Sequence, residues 1–113
     1  MSKIVVAANA IINNPEDITN VRKSGNEYYF LYKGKYKWSI SESDGEYYVH
    51  YYPDESTIDE LVSTSDWQSI NFVTYSTKDL KTREAYETFS ELYLLIKEKL
   101  YGVDKVLDDI IGG

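Results

Sequence analysis

The chain lacks cysteine altogether, and it has one histidine, one methionine, two prolines and six glycines among its 113 residues. Without cysteine there is no disulfide, no thiol nucleophile and no thiolate metal site, a composition that fits a reducing compartment. The glycines (Gly25, Gly34, Gly45, Gly102, Gly112 and Gly113) stand in turn-like contexts or at the terminus. None belongs to a Walker or dinucleotide fingerprint, so the backbone cradle that phosphate chemistry needs is missing. No apolar run approaches the length of a membrane span. Met1 to Ala10 carries a single lysine and lacks the length and flanks of a signal peptide. The expectation is a cytoplasmic protein that does not enter membranes.

Catalytic and metal-binding constellations are equally thin. His50 is the only histidine; strand pairing would set Ser39 opposite it, with Asp54 a few residues on. A Ser-His-Asp set also needs an exposed nucleophile and oxyanion donors, and no nucleophile elbow or glycine-rich loop accompanies these residues. The adjacent acids Asp54-Glu55, Asp59-Glu60 and Asp108-Asp109 show no EF-hand order of ligands. Helix starts and solvated faces account for them. No catalytic residue, metal or cofactor is expected, and the chain reads as a non-enzyme. The closing Gly112-Gly113 invites comparison with ubiquitin-like carriers, but those present the pair after a strand and a free tail. Here it follows the apolar helical segment Val106 to Ile111.

Charge is present but uneven. The net charge is −7, yet residues 1–40 hold six Lys/Arg against three acids, and residues 41–113 hold six against sixteen. An acidic chain repels phosphate backbones, which argues against general nucleic-acid binding. The acidic half can attract a basic protein surface, and such charge also keeps a protein soluble.

What the chain has in quantity is tyrosine, 12 of them. They concentrate in a ribbon from Tyr28 to Tyr52 built of three alternating runs: Tyr28-Phe30-Tyr32, Tyr36-Trp38-Ile40 and Tyr47-Val49-Tyr51. Alternate side chains on a strand share a face, so each run lines one side of a sheet. Asp44-Gly45 predicts a two-residue type I′ turn, which pairs Glu42 with Tyr47, Ile40 with Val49 and Trp38 with Tyr51. A three-residue turn at Lys33-Gly34-Lys35 then pairs Tyr32 with Tyr36 and Phe30 with Trp38. That choice gives a continuous apolar face, whereas a one-residue slip would expose it.

The remaining face carries Tyr29, Leu31, Lys37, Ser39, Tyr48, His50 and Tyr52. Antiparallel sheets often leave one face in water, but this one mixes aromatics with a lysine and the histidine. Either flanking elements or a homodimer cover it, or it meets a partner. Tyr29, Lys37, Tyr48, His50 and Tyr52 are the candidate partner-binding residues, since tyrosine offers large amphipathic area at low entropic cost.

Along the rest of the chain, Ser2 to Asn13 predicts an N-terminal helix with Ile4, Ala8, Ile11 and Ile12 on one stripe, and Ile18 to Lys23 a first, edge strand. Ser56 to Ser63 predicts a short helix capped by Ser56 with Asp59, followed by a loop at Ser63 to Asp66. Trp67 to Tyr75 alternates as a fifth strand. Ser76-Thr77-Lys78-Asp79 opens a long helix whose stripe is Ala85, Tyr86, Phe89, Leu92, Tyr93, Ile96 and Leu100, stopped by Gly102. Asp104 opens a last short helix.

The fold expected is one α+β domain over residues 1–113. An antiparallel sheet of about five strands is packed by a long C-terminal helix. Phe30, Trp38, Ile40, Val49, Phe89 and Ile96 are the expected core. The function expected is a small acidic interaction protein that binds a protein partner, of the kind formed by inhibitors, immunity proteins and phage-type antagonists. The alternative is a small-ligand protein for a nucleotide or other anion, gathered by Arg22, Lys23 and Lys37 beside tyrosines.

Overall fold

A computed structural model describes residues 2–53, 55–65 and 67–112. Its centre is the aromatic ribbon. Asp44 and Gly45 both adopt positive φ (54° and 82°), the requirement of a type I′ turn, and close β3 (Tyr36–Ser43) onto β4 (Glu46–Tyr52). Glu42 pairs with Tyr47, Ile40 with Val49 and Trp38 with Tyr51. Between β2 (Glu27–Tyr32) and β3 the loop is the three-residue one, with Tyr32 across from Tyr36 and Phe30 across from Trp38. The strand parity read from the sequence is the parity of the fold.

β1 (Ile18–Ser24) joins β2 at one edge and β5 (Val73–Ser76) joins β4 at the other, so one antiparallel sheet runs in chain order. β1 bulges between its Thr19 and Arg22 pairs, with Asn20 at φ 55°. Asparagine tolerates this left-handed region better than most residues, and the extra residue bends the edge strand.

Two helices cover one face of the sheet, α1 (Lys3–Asn13) and α4 (Arg83–Tyr101). Ile4, Val5, Ala8 and Ile11 of α1 and Ala85, Phe89, Leu92 and Ile96 of α4 close on Tyr28, Phe30, Tyr32, Ile40 and Val49. Of the six expected core residues, all but Trp38 are fully enclosed. Trp38 lies at the margin, half-buried with its ring 4.9 Å from that of Tyr51.

Three local readings need correction. The short helix α2 (Ile58–Ser63) is capped by Thr57 rather than Ser56: Thr57 Oγ1 accepts from Glu60 N, and Glu60 Oε1 accepts from Thr57 N. Glutamate reaches back over a turn where Asp59 is too short. The fifth strand starts at Val73, because Trp67–Ser69 forms a single 3₁₀ turn instead. The long helix does not run on from Ser76. A one-turn helix α3 (Thr77–Leu80) comes first, Lys81 turns left-handed at φ 57°, and Thr82 caps α4 by accepting from Ala85 N. Two caps, at Ser76 and Thr82, offset the roughly 1–2 kcal/mol that a non-glycine residue loses in that conformation. Ser2 stands at the N-cap of α1 but accepts no hydrogen bond with its side chain.

Gly102 stops α4 in the left-handed conformation, as its position suggested. Beyond it, α5 (Val103–Gly112) turns Val106, Leu107, Ile110 and Ile111 to the exterior. Gly113, the last of the terminal pair, lies outside the described residues, as do Met1, Asp54 and Asp66.

Candidate functional site

The sheet's second face is built from the other parity. Its rows run Ser41, Tyr48, Ser76, then Tyr29, Ser39, His50, Thr74, then Leu31, Lys37, Tyr52, with Glu27 two residues before Tyr29 on β2. Over part of it lies α2, whose Ile58 and Leu61 bury against Tyr29 and Tyr52, with Trp67 and Val62 at the border. Tyr29 and Tyr52 are each only 4 % exposed. They serve first as the floor for α2: a six-residue helix with two large apolar side chains needs apolar rings beneath it, and these two supply them, leaving little of either ring open. Lys37, Tyr48 and His50 remain half-buried on the same face.

Where α2 stops short, a pocket of about 310 Å³ opens, lined by Ser24, Glu27, Tyr29, His50, Tyr52, Val62, Thr64, Trp67 and Phe72. Its rings meet as corners more than as a stack. Trp67 stands at 88° to Phe72, and Phe72 at 88° to the imidazole of His50, with centroids 6.3 and 5.5 Å apart. Tyr52 tilts against both Trp67 and Phe72. Tyr29 and Trp67 lie nearly parallel.

Glu27 supplies the carboxylate. Ser39 Oγ donates to Glu27 Oε2 at 2.5 Å and sits 2.8 Å from the Tyr52 hydroxyl. Serine has one hydroxyl proton, spent on Glu27, so Tyr52 is the donor to Ser39. Tyr52 hydrogen-bonds Tyr29 in turn. A buried chain of hydroxyls thus ends on Glu27. His50 Nε2 lies 3.7 Å from the same Oε2, and Nδ1 is 2.8 Å from Thr74 Oγ1. A carboxylate can only accept, so the arrangement favours a proton on Nε2 and leaves Nδ1 to accept from Thr74.

Burial sets the protonation of these groups. It lowers the His50 pKa, against the opposing pull of Glu27, so the imidazole is neutral near pH 7. Burial, aided by the Glu27 charge, pushes Tyr29 up to about 12, and burial raises Tyr52 further. Tyr47 and Tyr93 on the opposite face are also raised, mainly by burial. The signs give a pH prediction. A tyrosine raised in the folded state contributes stability that is intact below its ordinary value and lost as pH climbs through the folded one. A histidine lowered in the folded state contributes stability intact above its ordinary value and lost as pH falls. Urea midpoints should therefore peak in the window from about pH 7 to 9 and decline on both sides, and Tyr52→Phe should flatten the alkaline decline. A midpoint level from pH 9 to about 11.5 would contradict the buried hydroxyl chain.

Among the described residues the other constellations weighed from the sequence do not assemble. Ser39 does pair with His50 across the strands, but it is fully buried and its hydroxyl donates to Glu27. Asp54 is outside the described residues. Among the described residues no group of three or more His, Asp or Glu is placed to hold a metal ion. The three cations offered for an anion also diverge. Arg22 Nε faces Asp59 at 3.4 Å, Lys23 lies over the Tyr28 ring, and Lys37 sits in the row with Leu31 and Tyr52. Glu27, Trp67 and Phe72 were missed by sequence reasoning. Glu27 could have been found by extending the parity of Tyr29 one step back, whereas nothing local marks Trp67 and Phe72.

Among the described residues no helix is long and apolar enough to cross a membrane. Comparison with protein-family models, with curated proteins and with solved structures finds no match.

Proposed function

We propose that this chain is a small acidic interaction protein without a catalytic role, gripping a protein partner at the open part of its second sheet face. The carrying observation is the aromatic pocket itself. A merely solvated sheet face needs no cluster of Tyr29, Tyr52, Trp67, Phe72 and His50 around a carboxylate. Pockets rimmed by aromatic anchors are where interface energy concentrates, and Tyr48 and Lys37 extend the surface beside this one. The acidic balance of residues 41–113 suits a partner with basic character, as an inhibitor or antagonist would meet.

A small-molecule ligand is the second reading, supported by the same pocket, with its sign reversed from the nucleotide or anion first expected. Among the described residues the formal charge lining the pocket is the Glu27 carboxylate, which repels phosphates.

Capture of partners from low-salt native lysate by immobilised protein tests the interaction. Phe72→Ala, at an exposed ring of the pocket, should lose a set of proteins that the wild type retains. Val6→Ser, on the exposed side of α1 across the sheet, should keep them. Identical captures by all three proteins would remove the face from consideration.

A further inference from the structure

We infer that the aromatic pocket receives a methylated ammonium group, a quaternary cation whose positive charge is spread over methyls. The inference deepens the reading of this face as the contact surface and rests on it. It comes from four features of the site.

The walls are rings in crossed orientations, with Trp67 and Phe72 at a right angle and Tyr52 tilted to both. Rings set at crossed angles around one open mouth can offer a cation their π-faces, which carry the negative side of the quadrupole. Among the described residues the lining holds one formal charge, the carboxylate of Glu27, and no lysine or arginine. His50, kept neutral by burial, does not cancel it. The volume of about 310 Å³ stands at the lower end of small-molecule sites, fitting a headgroup or a side-chain tip.

The fourth feature separates one cation from another. A primary ammonium has three donors and is strongly hydrated, and the described lining sets aromatic rings beside one carboxylate, that of Glu27. A guanidinium seeks both oxygens of a carboxylate in one plane. Here Oε2 of Glu27 already accepts from Ser39 at 2.5 Å and faces His50 Nε2 at 3.7 Å, so the fork is obstructed. A methylated ammonium donates no such set of hydrogen bonds. It needs apolar contact and a negative potential, which the rings and Glu27 supply in a lining that also includes Ser24 and Thr64.

The same group occurs on trimethylated lysine side chains of proteins and on free choline-type molecules. Titration of the intact protein, followed by proton–nitrogen NMR, distinguishes them. The probes are tetramethylammonium, choline, the neutral tert-butyl isostere of choline, and a trimethyllysine peptide with its unmethylated counterpart, all at matched ionic strength. Tetramethylammonium should shift the Trp67 indole and the backbone of His50 and Phe72. Choline should bind about tenfold or more tighter than its neutral isostere, and Glu27→Gln and Phe72→Ala should each weaken it by about tenfold. Tighter binding of the trimethyllysine peptide than of choline places the cation on a protein; the reverse places it on a small molecule. Equal binding of choline and its neutral isostere overturns the inference, as does the absence of shifts with every cation. If cations fail while Phe72→Ala still abolishes partner capture, the contact surface stands without the cation. If cations bind while capture is unaffected, the surface reading falls and the cation site stands.

Discussion

Phe89→Ala is expected to lower the unfolding free energy by about 3–5 kcal/mol, through lost transfer energy and the cavity left behind. Phe89 is fully enclosed in the middle of α4, in the cluster that joins α1, α4 and the sheet. Its neighbours Phe30 and Ile40 are also without exposed surface, and they lie on strands tied on both sides, so the void cannot easily collapse. Ordinary domains hold 5–15 kcal/mol in total, so this one ring represents a large share. The urea midpoint should fall while the slope stays constant. Leu94→Ala, on the exposed side of the same helix, should change stability by no more than about 0.5 kcal/mol. Equal effects of the two substitutions would show that α4 docks by another face.

Leu61→Ala is expected to cost about 2–5 kcal/mol and to remove the pocket as well. The helix α2 has six residues, too few to persist alone in water. Its buried side chains are Ile58 and Leu61, and Leu61 is the one with no exposed surface. Without it, α2 loses its hold on Tyr29 and Tyr52, and the wall that includes Val62 and Thr64 moves with it. Hydrogen exchange should then accelerate in α2 while the amides of β2, β3 and β4 keep most of their protection. Choline binding should disappear in the same variant. Unchanged protection of α2 would mean that its capping box, and not Leu61, secures it.

The fold was legible where a pattern was local and repeated. Alternation in the ribbon, Asp44-Gly45 at its turn and the 3–4 stripe of α4 each determine a conformation from neighbours alone, and together they fix which tyrosines face α4. Reading failed where two local options were close in energy. Ser56 and Thr57 both precede an acid by three residues, and reach decided for Thr57. Thr82 could be a helix-interior residue or a second cap, and the left-handed turn at Lys81 made it a cap.

The site was legible only in its sheet residues. Tyr29 and Tyr52 were correctly assigned to the second face, but their burial depends on α2, and contact between a strand and a helix joined by a loop leaves no periodic trace. Trp67 and Phe72 belong to an irregular stretch whose alternation imitates a strand. They reach the pocket because the chain must cross that face to enter β5.

The order of the strands has a kinetic consequence. Each of the first three pairings closes over a tight turn, so a zipper-like collapse of β1 to β4 incurs little loop entropy. Docking of β5 must wait for residues 53–72 to find their path across the sheet. Local pairings of this kind favour fast folding. The last step to complete is then the one that brings Phe72 beside His50, so the binding site matures after the scaffold that carries it.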